Sequence, residues 1–128
     1  CPDEILVGLR NDHKLGLFNG GLYQVLKVGK KTKKGFIQLA LTATDYNAPF
    51  AAKVHEKILT GEDHDMHWKE LLGSQQLTYG YALTCHKSQG SQWNDIVVFD
   101  EAAVFKDNAG RWRYTAVTRA AERLTLVV

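Results

Sequence analysis

Two apolar runs decide the fold: Ile96-Val97-Val98-Phe99 and Leu124-Thr125-Leu126-Val127-Val128. Neither alternates apolar with polar residues, as a strand with one wet face does. Near-continuous apolar runs of this kind are characteristic of strands covered on both faces, the usual state in parallel sheets. Between them, residues 111–121 read as a helix. Strand, helix and strand in that order make a βαβ crossover, which implies a parallel sheet and an α/β fold. Tyr79 to Thr84 reads as a further strand. It would carry the polar loop His86-Lys87-Ser88-Gln89-Gly90 at its carboxyl end, where α/β sheets usually bind ligands.

Upstream the texture is different. Residues 4–10 read as a strand that ends at the turn-prone pair Asn11-Asp12, and Asn19-Gly20-Gly21 is a strong turn signal because Asn and Gly tolerate positive φ. Leu22, Val25, Leu26 and Val28 suggest a second strand, the lysine-rich residues 29–35 close a hairpin, and Phe36 to Leu41 return as a third. Short strands so closely spaced suggest a small barrel or meander. After Pro49, Ala51, Val54, Ile58 and Leu59 recur at helical spacing and Gly61 is a stop signal. Residues 62–73 read as a short helix or ordered loop anchored by Trp68, Leu71 and Leu72. The expected organisation is therefore a β-rich segment over 1–46, a helical or irregular connector over 47–75, and an α/β segment over 76–128.

The bulk numbers fit an ordinary folded domain or part of one. The chain has 128 residues, 45% apolar and 23% charged, so a real core is possible and disorder is not expected. It has no repeat, and no apolar run near the roughly 18 residues that span a bilayer. The start, Cys1-Pro2-Asp3-Glu4, has neither an initiator Met nor a signal peptide, which suggests an excised fragment. Two cysteines make no disulfide framework, so a cytoplasmic location is expected. The net charge of +2 says little about partners. Lys27, Lys30, Lys31, Lys33 and Lys34 crowd one stretch, either to meet phosphates or as a solvated hairpin tip.

Two stretches carry chemistry. Thr84-Cys85-His86-Lys87-Ser88-Gln89-Gly90-Ser91-Gln92 gathers hydroxyls, a cation, an imidazole and amides around a glycine, either to face phosphates and sugars or as a polar connector. In Tyr114-Thr115-Ala116-Val117-Thr118-Arg119-Ala120-Ala121-Glu122-Arg123, Arg119 sits among small residues near the expected helix end. Arginine suits triphosphate recognition because its charge is permanent and its fork of donors matches phosphate oxygens. The alternative is a surface ion pair, for instance with Glu122.

Taken together these stretches become recognisable. Thr84 to Gln92 resembles motif V of superfamily 1 DNA helicases of the RecD and Dda type, Thr-x-His-Lys-Ser-Gln-Gly-Ser-Glu, and Tyr114 to Arg123 resembles their motif VI, Tyr-Thr-Ala-x-Thr-Arg-Ala-x-x-Arg. Arg10-Asn11-Asp12 followed by Leu17-Phe18-Asn19-Gly20-Gly21 is similar to the family segment that leads into an SH3-like insert, the 2B subdomain. The resemblance is close over 77–128, loose over 4–46, and absent over 47–75. It implies part of a RecA-like second motor domain of the P-loop NTPase type, carrying a small SH3-like all-β insert. Arg119 would be the catalytic arginine at the γ-phosphate, with Gly90 and Gln92 also at the nucleotide. Thr84, His86 and Lys87 would meet single-stranded DNA. ATP and Mg2+ would be bound by the full-length protein between this domain and a first RecA-like domain, and the fragment alone would bind and hydrolyse none. The resemblance also implies 5′-to-3′ movement, exodeoxyribonuclease V α-subunit-like roles in repair or recombination, and recombination or nuclease subunits as partners. One departure matters. Gln92 stands where the family usually has a glutamate that accepts a hydrogen bond from the ribose, and an amide accepts without charge assistance.

Other signals are discounted. Gly29-Lys30-Lys31-Thr32 fails the phosphate-loop pattern, which requires Gly where Gln24 stands and Ser or Thr where Lys31 stands. Ile96 to Glu101 reads like a Walker B strand ending in Asp100-Glu101, yet it lies between motifs V and VI, where the family has an ordinary core strand. His64-Asp65-Met66-His67 lacks a ligand set with metal spacing, so no metal site is expected. Trp68, Trp93 and Trp112 are expected in the core rather than stacked on bases. Two alternatives remain open: a non-catalytic nucleic-acid-binding module that uses the basic β barrel, and a protein-interaction platform with decayed motifs.

Overall fold

A computed structural model describes residues 1–128, which divide into two compact units, Cys1–Ala82 and Leu83–Val128.

The first unit is a five-stranded antiparallel sheet formed by β1 (Ile5–Gly8), β2 (Leu22–Lys31), β3 (Phe36–Ala43), β4 (Phe50–His55) and β5 (Leu77–Tyr79), in the order β4-β3-β2-β1-β5. The three upstream strands read from sequence are present. The helix expected after Pro49 forms only over its last turn before Gly61: Phe50–His55 instead pairs with β3 along its whole length, Leu41 opposite Phe50 and Phe36 opposite His55. The physical reason is in the burial. Ala52 and Val54 are buried while Ala51 and Lys53 are exposed, a period of two that the pairing with β3 selects over the helical reading. Helix α1 (Glu56–Thr60) is one turn long, capped by the His55 side chain and stopped at Gly61 in the left-handed region. The remaining connector holds a 3-10 turn over Trp68–Leu71 that His67 and Glu70 close with a reciprocal capping box. The boundary therefore falls at 82, later than the expected 75, because β5 pairs with β1 and belongs to this sheet.

Leu6, Leu17, Tyr23, Val25, Leu39, Leu41, Val54 and Leu77 form the core of this unit. Tyr23, 2% exposed, also ties down the loop before β2, since its hydroxyl accepts from Phe18 N at 2.7 Å and donates to Gly16 O at 3.4 Å. Burial pushes its pKa up, against the lowering effect of the Phe18 N–H. Tyr23→Phe should cost about 1–3 kcal/mol in urea unfolding, the penalty for a backbone donor left without its partner. Gly8 is needed for close approach, because a Cβ there would lie 2.3 Å from the Phe18 carbonyl oxygen.

The second unit holds β6 (Trp93–Phe99) and β7 (Ala120–Val127), joined by a 3-10 segment over Ala102–Asn108 and helix α2 (Ala109–Val117). The strands pair in parallel, Ile96 opposite Leu124 and Phe99 opposite Val127, as the crossover reading requires. Three details depart from expectation. The helix ends at Val117, so Arg119 lies beyond it in the turn. The motif V-like loop leads into the amino end of β6 instead of leaving a parallel strand at its carboxyl end, since its upstream strand β5 joins the other sheet. The strands expected to be buried are open: Val97 is 59% and Phe99 66% exposed, with Leu124, Leu126 and Val127 at 40–45%. Trp68 is likewise exposed rather than in the core, while Trp93 and Trp112 are half-buried. Both cysteines are free, and no helix is long and apolar enough to cross a membrane.

Candidate active site

The two chemical stretches meet where β6 and β7 begin. Arg119 lies between helix α2 and β7, and its side chain is half-buried. Its guanidinium makes three hydrogen bonds: Nε donates to Thr115 O at 3.0 Å, Nη1 to Ser91 O at 3.1 Å, and Nη2 to Thr118 Oγ1 at 3.1 Å. The Thr118 hydroxyl in turn donates to Tyr114 O at 2.7 Å, so it is fixed as an acceptor for the arginine. A guanidinium has five N–H groups. Two are thus left to meet a ligand from a side chain whose orientation is already set, which is the arrangement that loses least freedom on binding phosphate.

Residues 91, 92 and 93 each hold the Thr118–Arg119 segment. Besides the Ser91 carbonyl, Gln92 Nε2 donates to Thr118 O at 3.3 Å, and Trp93 N donates to Arg119 O at 2.9 Å. Behind them the loop is knitted by its own backbone. Ser91 N donates to Ser88 O at 3.2 Å and Ser88 N to Thr84 O at 3.1 Å, so a run of peptide hydrogen bonds leads from Thr84 to the Arg119 guanidinium. Ser88 is buried and its hydroxyl donates to Cys85 O at 2.6 Å, which pins the centre of the loop. Gly90 has φ +83°, the left-handed conformation that glycine adopts without strain, and nothing would meet a side chain there.

The sequence-predicted residues therefore fall into two groups. Gln92 and Arg119 come together through the Thr118 peptide. Thr84, His86 and Lys87 are exposed at the far end of the loop and make no hydrogen bond to Arg119. Thr84 Oγ1 accepts from Lys87 N at 3.3 Å, and the His86 ring lies 6.0 Å from that of Phe105. The Cys85 thiol donates to Trp112 O at 3.5 Å; burial pushes its pKa up, opposed by the Arg119 charge. Sequence reasoning missed Thr115, Thr118 and Ser91 as the arginine's partners. Two of them had a signal, since position i−4 of a helical turn and the adjacent hydroxyl are natural acceptors for an arginine at the turn's end.

Asp100 is a structural residue. Its Oδ1 accepts from Ala102 N at 3.0 Å and its Oδ2 from Arg113 Nε at 2.9 Å. The Ala102 N–H, and after it Arg113, hold the carboxyl below its ordinary value. That stabilisation is present above the ordinary carboxylate range and is lost as pH falls through the lowered folded-state value.

The profile of the UvrD-like helicase C-terminal domain matches residues 79–127. The ATP-dependent RecD2 DNA helicase of Deinococcus radiodurans is 29% identical over 95% of this chain, which spans only 14% of that protein's length. A Pif1 helicase of Bacteroides, solved with ADP-AlF3 and single-stranded DNA, superposes with a TM-score of 0.63 at 16% identity, covering all of this chain and 29% of that one. A second structure of Bacteroides Pif1, bound to single-stranded DNA, gives a TM-score of 0.60 at 16% identity over 98% of this chain and 28% of that one. At such identity the structures speak for the fold alone. Residues 79–127 of the chain are thus similar to the UvrD-like helicase C-terminal domain.

Proposed function

We propose that this chain is the C-terminal motor part of an ATP-dependent DNA helicase, and that Arg119 is the catalytic arginine that meets the γ-phosphate of ATP. The observation that carries the reading is the hydrogen bond from Arg119 Nη1 to the Ser91 carbonyl. It joins the proposed phosphate-sensing side chain to the loop whose other end exposes Thr84, His86 and Lys87, the residues proposed to meet DNA. A change at the guanidinium on ATP binding or hydrolysis is then felt along the peptide run from Ser91 to Thr84. This chain's share of the chemistry is electrostatic: Arg119 neutralises charge that develops on the transferring phosphoryl group. Gly90, beside the same clamp, leaves the loop backbone open to the nucleotide. The resemblance to motifs V and VI implies that Mg2+ and the phosphate loop belong to a first RecA-like domain of the complete polypeptide.

Two further facts support the reading. Parallel sheets are covered on both faces, and a two-stranded one does not stand alone; the open faces of β6 and β7 call for further strands and helices. The antiparallel unit then takes the place of the SH3-like insert beside the DNA. Work in DNA repair or recombination, with 5′-to-3′ movement, is proposed on the same resemblance, and a cytoplasmic location on the two free cysteines.

The test is ATP hydrolysis by the complete polypeptide with and without single-stranded DNA. The motor reading expects turnover stimulated by DNA. A second reading, a non-catalytic nucleic-acid-binding module, is favoured by one observation: Lys33, Lys34, Lys53 and Lys69 line a groove of about 900 Å³ in the antiparallel unit. It expects salt-dependent binding of single-stranded DNA with no turnover.

A further inference from the structure

We infer that Gln92 is a positioning residue for Arg119, and that its amide serves to hold the arginine's turn instead of accepting a hydrogen bond from the nucleotide ribose. The inference rests on the motor reading above and concerns the one position where this chain departs from the motif V pattern.

The geometry is specific to an amide. Gln92 Nε2 donates to the carbonyl of Thr118, the peptide that immediately precedes Arg119. That contact lies between two others, Arg119 Nη1 to Ser91 O and Trp93 N to Arg119 O. Three consecutive loop residues thus hold the side chain, the preceding peptide and the following carbonyl of one arginine. The N–H of the same peptide donates from Arg119 N to Ala116 O at 3.3 Å, so the Gln92 contact secures its carbonyl side, and losing it loosens the turn that carries the guanidinium. A glutamate at position 92 has no donor at neutral pH. Its carboxylate would face the Thr118 carbonyl with like partial charge and push the two segments apart. The substitution that looks in sequence like a weakened ribose acceptor is, in the structure, the change that makes this clamp possible.

The two roles predict opposite outcomes for Gln92→Glu in the complete polypeptide. A ribose acceptor would be improved by a carboxylate, with a lower KM for ATP and kcat unchanged or raised. A positioning residue would be damaged, with kcat for DNA-stimulated hydrolysis falling roughly tenfold, the worth of one hydrogen bond and a repulsion in the transition state, and KM near that of the wild type. Gln92→Met keeps the length of the side chain without the donor and is expected to show the same split. A double-mutant cycle then separates positioning from general disturbance. In an Arg119→Ala background, measured by single-turnover hydrolysis, Gln92→Glu should cause little further loss, because the group it positions is gone. A lower KM in Gln92→Glu, or a full additional loss in the Arg119→Ala background, would overturn the inference and leave the motor reading in place. A wild-type protein without ATPase activity would overturn both.

Discussion

Arg119→Ala in the complete polypeptide is expected to lower DNA-stimulated kcat by a factor on the order of 10³–10⁵, the range known for arginine fingers in phosphoryl transfer. Binding of ATP should survive, because the arginine's contribution is largest where charge accumulates in the transition state and a nucleotide has other contacts. The fold should also survive. The backbone bond from Trp93 N to Arg119 O does not involve the side chain, and the residues whose acceptors are abandoned, Ser91, Thr115 and Thr118, are only half-buried. Arg119→Lys should recover little. Lysine keeps the charge but lacks the planar fork that engages three acceptors at once and still presents donors to phosphate. Steady-state turnover, with nucleotide affinity measured separately by a fluorescent ADP analogue, checks each part. Turnover unchanged in the alanine variant would remove Arg119 from the mechanism.

The second large effect concerns stability and contrasts two leucines that look alike in sequence. Leu41 on β3 is 0% exposed, paired across from Val25 and Phe50 in the core of the antiparallel unit. Leu41→Ala should cost about 2–5 kcal/mol, the lost transfer free energy plus the cavity left behind. Leu126 on β7 is 45% exposed, and Leu126→Ala in this chain should change stability by no more than about 0.5 kcal/mol. Hydrogen exchange of the β3 and β7 amides reads the two units separately. In the complete polypeptide, where other elements of the motor domain would cover β7, the cost of Leu126→Ala should rise to that of a core truncation. An equal, small cost in both settings would argue against the covering that the proposed function requires.

The groove lined by Lys33, Lys34, Lys53 and Lys69 shows how charge clustering is only half legible in sequence. Lys33 and Lys34 belong to the obvious cluster, but Lys53 and Lys69 reach the same groove from β4 and from the turn over Trp68–Leu71. Their sequence neighbours gave no hint of it; pairing of β4 with β3 brings Lys53 there, and the turn over Trp68–Leu71 brings Lys69. The same pairing confines the helix expected after Pro49 to Glu56–Thr60. Ala51, Val54, Ile58 and Leu59 satisfy a helical period, yet Ala52 and Val54 satisfy a period of two as well, and hydrogen bonds to β3 decided between them.

The parallel strands and the crossover between them were legible in the sequence itself, from two continuous apolar runs with a helical stretch between them. Arg119 was singled out by the resemblance of its stretch to motif VI. Tertiary structure alone decided what holds that arginine. Ser91, Gln92 and Trp93 lie more than twenty residues from Arg119 in the chain and meet it because β6 and β7 start side by side. Hence Gln92, read from sequence as a poorer ribose acceptor, became a donor to the Thr118 carbonyl. Sequence shows which groups an amide offers; the partner it finds depends on which backbone the fold brings within reach.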